Sequence, residues 1–189
     1  YLFSKNQPLR IDSDQQTGSW KEINTAGSED PVSEDLFTLS INHGIQPKEG
    51  GYAYAVLPGI QAEDIPDWTN RRQPYCILAN RNDLQAVWSG LDRVAEVIFY
   101  EPGEIALPTG LSISVDVPCV LLLTLGEKEI SLSVANPLRS GASVNVNLWK
   151  ASNSEPLNVL FNLPGDPEKA GITVTHVISI SNSVLDTDS

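Results

Sequence analysis

The sequence predicts an all-β protein: an antiparallel β-sandwich over residues 75–189, preceded by a short connection and the last few strands of another sheet. Three observations carry this reading. Short runs alternate bulky and small or polar residues, as strands with one buried face do. Turn residues cut those runs at short intervals, and no segment supports a long helix.

The first strands lie in residues 1–60. Tyr1-Leu2-Phe3 and Leu9-Arg10-Ile11 read as short strands, Asp12 to Ser19 as polar loop, and Thr25 to Ser33 as another loop. In Leu36–Ile41, Phe37, Leu39 and Ile41 point one way and Leu36, Thr38 and Ser40 the other. Asn42-His43-Gly44 and Pro47 to Gly51 mark a turn, after which Tyr52–Leu57 alternates again until Pro58-Gly59. These two runs are expected to be half-buried antiparallel strands.

Residues 61–74 lose the two-residue period and predict a linker or short helix, with Asp64 as cap and Pro66 near the start. Strands are then expected at Tyr75–Ala79, Leu84–Trp88, Val94–Tyr100, Ile113–Val117, Val120–Leu125, Glu129–Val134, Val144–Trp149, Val159–Leu163 and Ile172–Ile180. Val120–Leu125 is apolar at nearly every position and is expected to be central. In Ser143–Trp149, Val144, Val146 and Leu148 share one face.

Length and composition describe a globular chain with room for a sizeable core: 189 residues, 41% hydrophobic and 19% charged. No run reaches the roughly 18 apolar residues of a membrane span. The chain opens on a strand-like triplet and contains no methionine, so it reads as a piece of a longer protein. The formal charge of −12 is spread along it, with 6 basic and 11 acidic residues before residue 75 and 6 and 13 after. An acidic surface makes nucleic acid and anionic lipid poor partners. It also disfavours this piece as the main grip on an acidic glycan.

Few residues offer chemistry. His43 with Tyr52 or Tyr54 is a base–acid pair by residue type, but the structural reading is preferred: Tyr52 and Tyr54 share a strand face, and His43 beside Gly44 suits a turn hydrogen bond. His176 shares a face with Val174 and Ile178 and reads as a core-edge histidine. Trp20, Trp88 and Trp149 are expected in the core, Trp88 with Leu84 and Ala86. Arg71 and Arg72 beside Trp68 and Tyr75 form the one compact cation-plus-aromatic cluster: a solvated linker charge pair is the preferred reading, and contact with a carboxylate or sulfate group and a sugar face is the functional one. Cys76 and Cys119 either pair or stay free, with a buried inert thiol the default for Cys119. Two cysteines and two histidines, none closely spaced, predict no metal site, and there is no nucleotide-loop or hydrolase-elbow motif, so no cofactor and no catalytic residue is assigned.

Four ordered segments carry a family resemblance. Gly18-Ser19-Trp20-Lys21-Glu22-Ile23-Asn24 is similar to a Gly-x-Trp-x-x-Ile-Asn segment, and His43-Gly44 followed by Tyr52-Ala53-Tyr54 and Leu57-Pro58-Gly59 resembles the end of a large β-sandwich. Leu78-Ala79-Asn80 with Gln85-Ala86-Val87, and Leu132-Ser133-Val134-Ala135-Asn136-Pro137, resemble a smaller C-terminal β-domain. Together they resemble polysaccharide lyase family 8, the chondroitin, hyaluronan and xanthan lyases. The resemblance implies an α-helical toroid and central sandwich upstream, export to a secreted or periplasmic location, and β-elimination on uronic-acid-containing glycans. It implies that the catalytic Asn, His, Tyr and Arg belong to that toroid, so none is carried onto this chain; Trp20, Asn24, His43, Gly44, Tyr52, Tyr54 and Pro58 match scaffold positions. A carbohydrate-binding or adhesive β-sandwich without lyase chemistry is the other reading.

Overall fold

The computed structural model describes residues 1–3, 8–48, 50–70, 75–150 and 155–179, with side chains described for all of these but 68–70. The chain forms two compact units, Tyr1–Ala62 and Glu63–Ser189.

In the first unit, β1 (Leu2–Phe3), β2 (Leu9–Gly18), β3 (Val32–Ile41) and β4 (Tyr54–Ala55) form two separate antiparallel pairs, β1 with β4 and β2 with β3. The run at Leu36 is therefore a strand, but that at Tyr52 is a strand only at Tyr54–Ala55; the two are not partners of each other, and both are more exposed than the half-buried strands expected. β3 pairs with β2 along its whole length, from Leu9↔Ile41 to Gly18↔Val32. This corrects the loop expected at Asp12–Ser19. A two-stranded ribbon leaves both faces wet, so polar residues fit it without any alternation.

The ribbon's connection is tightly built. A 3-10 turn at Trp20–Glu22 is followed by Asn24 N–H donating to the Trp20 carbonyl at 2.9 Å, while Lys21 N–H reaches the Ser28 carbonyl at 3.0 Å. A Cβ on Gly27 would lie 2.8 Å from the Trp20 backbone, so only glycine fits there. Trp20 itself is 61% exposed, against the expected core position. It stands at the tip of a ribbon with no second layer over it among the described residues of this unit. Among the described residues, no hydrophobic residue of the unit is buried, and those that are fully enclosed lie between Ala79 and Leu163.

The second unit opens with α1 (Ile65–Asn70), whose second residue is Pro66, a position where a missing N–H costs nothing. Ten strands follow: β5 (Tyr75–Asn80), β6 (Leu84–Ser89), β7 (Val94–Phe99), β8 (Gly103–Ala106), β9 (Leu111–Val115), β10 (Cys119–Leu125), β11 (Glu129–Ala135), β12 (Ala142–Lys150), β13 (Leu157–Leu163) and β14 (Val174–Ser179). They make a six-stranded sheet, β14-β11-β10-β7-β6-β5, and a four-stranded sheet, β13-β12-β9-β8, all antiparallel.

Their inner faces share one core, in which Ala95, Val97, Leu121, Leu123, Ile130 and Leu132 of the larger sheet meet Ile113, Val144, Val146 and Phe161 of the smaller. This is an antiparallel β-sandwich. Its interior positions fall at every second residue, as in β12, where Val144, Val146 and Leu148 are enclosed. β10 is an inner strand of the larger sheet, as expected, but apolar on both faces only in composition: Leu122 on its outer side is 38% exposed.

Two details depart from the expected elements. β8 has no counterpart among the strands read from sequence; only Ile105 of its four residues points inward. Trp149 is half-buried, on the opposite face of β12 from the core. Trp88 is enclosed with Leu84 and Ala86 as expected. His176 on the edge strand β14 is exposed, yet its ring sits 4.5 Å from that of the enclosed Phe161 in the other sheet. That is a core-edge histidine. The one buried polar side chain among the described residues, Asn136, is fully used: its Nδ2 donates to the Ser140 carbonyl at 2.8 Å and its Oδ1 accepts from Leu138 N–H at 2.9 Å. It fixes the turn between β11 and β12.

Candidate functional site

The larger concave site lies in the first unit. Period-two geometry on β3 turns Phe37, Leu39 and Ile41 to one side, where they form one wall of a cleft of about 430 Å3. The other wall is a chain of rings. Tyr1 and Phe3 each pack on Tyr54 with centroids 5.7 Å apart, Tyr54 stacks on Tyr52 at 6.1 Å, and Tyr52 stacks on His43 at 6.2 Å. The His43 ring is also held from the side of Gly50, where a Cβ would come within 3.1 Å of it. In the turn, Gly44 N–H bonds to the Asn42 carboxamide oxygen at 2.8 Å, so the turn bond expected of His43 is supplied by its neighbour.

The cleft is aromatic and aliphatic, with His43 its one imidazole. A proton passes along a hydrogen bond lying in the ring planes, whereas His43 and Tyr52 face one another with only 29° between them. This arrangement packs well and transfers protons poorly. Tyr52 and Tyr54 do share a face as expected, but they are 55% and 48% exposed and do not belong to an enclosed core.

A smaller depression on the outer side of the six-stranded sheet, of about 270 Å3, is lined by Tyr75, Val87, Ser89, Asp92, Val94 and Glu96. There Ser89 Oγ donates to Asp92 at 2.7 Å. At the opposite end of the β5–β6 hairpin, Arg81 forms two 3.0 Å bonds to Asp83, a fork that holds the aspartate carboxyl below its ordinary value and braces the turn. Trp68 falls in α1, while Arg71 and Arg72 lie outside the described residues. No group of three or more His, Cys, Asp or Glu among the described residues is placed to hold a metal ion.

Both cysteines are free. Cys76 on β5 and Cys119 on β10 are separated by two intervening strands. Three strand spacings amount to about 14 Å, beyond the reach of a disulfide. Cys119 is buried, and burial together with the negative charge of Asp116 pushes its thiol up to about 12.

Two family descriptions match in tandem: residues 1–68 match the polysaccharide lyase family 8 super-sandwich domain, and residues 76–145 match the family 8 C-terminal beta-sandwich domain. Chondroitinase-AC of Pedobacter heparinus is 33% identical over 174 residues, 92% of this chain and 24% of that protein. A hyaluronate lyase of Thermasporomyces composti is 27% identical over 146 residues, 77% of this chain and 18% of that protein. A solved chondroitinase AC lyase, studied in oligosaccharide complexes, superposes with a TM-score of 0.74 at 32% identity over 92% of this chain and 25% of its own. The chain thus spans about a quarter or less of the relatives it matches. With both matched regions in order along one all-β chain, the chain belongs to polysaccharide lyase family 8.

Proposed function

We propose that this chain is the non-catalytic C-terminal part of a polysaccharide lyase that cleaves uronic-acid-containing glycans of the chondroitin sulfate or hyaluronan type by β-elimination. In that reading residues 1–60 close the central sandwich, and residues 75–189 form the C-terminal domain that supports one side of the substrate cleft. The carrying observation is the contrast between the units. The second has a continuous enclosed core, whereas the first exposes Phe37, Tyr52 and Tyr54 along a cleft and, among the described residues, encloses no hydrophobic residue. A sheet face of that composition is half of a sandwich, and its complement is the rest of the central domain in the same polypeptide.

The chemistry is assigned to an upstream toroid, because the one histidine of the cleft is stacked rather than hydrogen-bonded to its tyrosine. Trp68, Arg71 and Arg72 are the residues proposed to touch the anionic glycan, through guanidinium forks and an indole face. A polymeric substrate supports a location outside the cytoplasm, secreted or periplasmic, for the whole protein; no helix among the described residues is long and apolar enough to cross a membrane.

The test is direct. Incubated with chondroitin sulfate and with hyaluronan, the 189-residue chain is expected to release no unsaturated uronide by ultraviolet absorbance, while the same chain continued through the upstream coding sequence is expected to release it. Product from the short chain would overturn the assignment of the chemistry.

A further inference from the structure

We propose that the outward face of the four-stranded sheet binds an uncharged hexopyranose chain. This does not rest on the lyase reading, because every group involved is on the second unit. Since Val144, Val146 and Leu148 point into the core, Asn145, Asn147 and Trp149 stand on the opposite face of β12. The register sets Asn158 of β13 and Ser114 of β9 on either side of Asn147. The three are joined across the strands: Asn158 Nδ2 donates to Asn147 Oδ1 at 2.8 Å, and Asn147 Nδ2 donates to Ser114 Oγ at 3.3 Å. One row along, Asn145 is bonded to Asp116, and Ser143 Oγ donates to Asn162 Oδ1 at 3.0 Å.

A carboxamide offers two donors and an acceptor with two lone pairs, and these cross-strand bonds engage only part of that capacity. What remains faces outward on side chains whose rotamers are already fixed, so a ligand has less ordering to do. Sugar hydroxyls both donate and accept, which is the complement of an amide and hydroxyl array. Trp149 extends the ladder by one two-residue repeat, about 6.7 Å along the strand. Its half-buried indole offers an apolar plate with a polar edge, suited to the C–H face of a pyranose whose neighbour lies over Asn147.

Charge selects the class of sugar. The rows carry no cation between Asn158 and Ser114, Asp116 and Glu104 stand at the margin, and Lys150 is the nearby basic residue on β12. On a chain of net charge −12 this face repels a polyanion more than it attracts one.

The experiment is an NMR titration of the isotope-labelled 189-residue chain with cellopentaose and with maltohexaose, using a hyaluronan hexasaccharide as the anionic comparator. Saturable shifts are expected in the Asn147 and Asn158 carboxamides and the Trp149 indole N–H with at least one neutral sugar, at a Kd of about 1 mM or tighter. Trp149→Ala is expected to weaken binding about ten-fold. Asn147→Ser, which replaces the carboxamide with a shorter hydroxyl and leaves the core untouched, is expected to do so as well, with the melting temperature checked for both. Trp20→Ala in the other unit should leave the affinity unchanged. The proposal is overturned if neither neutral sugar produces saturable shifts on this face. It is equally overturned if a folded Asn147→Ser variant binds as well as the parent, or if the hyaluronan hexasaccharide binds the same face as tightly.

Discussion

Asn145 gives Asp116 two hydrogen bonds, one from its backbone N–H to Oδ1 at 2.8 Å and one from its carboxamide to Oδ2. The contact ties the end of β9 to β12 just where their ladder stops, at Val115↔Val146. Desolvation pushes the Asp116 carboxyl up, but the two Asn145 bonds and one from its own backbone outweigh this and hold it below the ordinary carboxylate value. The folded group therefore ionises at lower pH than the unfolded one. Its contribution is complete above the unfolded value and is lost as pH falls through the folded one.

Asp116→Asn is accordingly expected to melt lower than the parent at neutral pH, by about 1 kcal/mol because the group is exposed. The variant should also show a flatter loss of stability below the ordinary carboxylate range. Urea titrations at several acidic pH values measure both. Parallel slopes for the two proteins would show that Asp116 is not a linked group.

The two thiols are expected to behave differently. Cys76 is exposed, whereas Cys119 is buried with its thiol raised to about 12, which leaves almost no thiolate at neutral pH. Under native conditions an aromatic disulfide reagent should modify one equivalent, located at Cys76 by mass spectrometry. The second equivalent should appear only with denaturant. Prompt reaction of both would mean that β10 opens readily.

Phe161 is fully enclosed and its ring supports His176 across the gap between the sheets. Phe161→Ala removes both the core volume and that support, and is expected to cost about 3–5 kcal/mol. His176→Ala should cost much less, because His176 is exposed. Denaturant midpoints for the two variants and their double mutant report the coupling: a double mutant no worse than Phe161→Ala indicates that the histidine acts through the ring.

The sandwich was largely legible because burial imprints a period of two on its strands. β12 announces itself through Val144, Val146 and Leu148, and β10 through an almost unbroken apolar run. Where one face is not buried, the imprint fails. β2 continues through Asp12–Gly18 in a ribbon wet on both sides, and β8 turns only Ile105 inward, so neither leaves a pattern to read. The cleft was half legible. Tyr52 and Tyr54 share a face and Phe37, Leu39 and Ile41 another, but the packing of Tyr1 and Phe3 on Tyr54 joins residues about fifty positions apart with no local signal. The same holds for Asn145 and Asp116, whose types are ordinary and whose meeting depends on register.

The contrast between the units gives a prediction about Phe37, which is 60% exposed on the cleft wall. Phe37→Ser in the 189-residue chain is expected to change stability by no more than about 0.5 kcal/mol. In the chain continued upstream, where the proposed central sandwich covers this wall, the same change should cost about 3 kcal/mol or more. Equal small effects in both would argue that the ring wall remains open in the longer protein.

Gly141 and Gly165 bring backbone against backbone at the end of the β12–β13 ladder. A Cβ added at Gly141 would stand 2.9 Å from both the N and Cα of Gly165, and one added at Gly165 would stand 3.0 Å from the N of Gly141. Neither obstacle is a side chain that can swing aside, so the two segments must separate. They flank the first register pair of β12 and β13, Ala142↔Leu163, and Leu163 is part of the core. Separation there pulls on an enclosed residue. Gly141→Ala is therefore expected to destabilise by about 1–3 kcal/mol, the range for forcing atoms into filled space, although the residue lies on the surface. Gly44→Ala, where no atom stands within 4 Å but φ is +78°, is the comparison, because its cost comes from backbone strain alone. Amide exchange separates the two mechanisms. Faster exchange at Ala142 and Leu163 in Gly141→Ala marks the opened edge, and unchanged exchange there would mean that the strands tolerate the added methyl group.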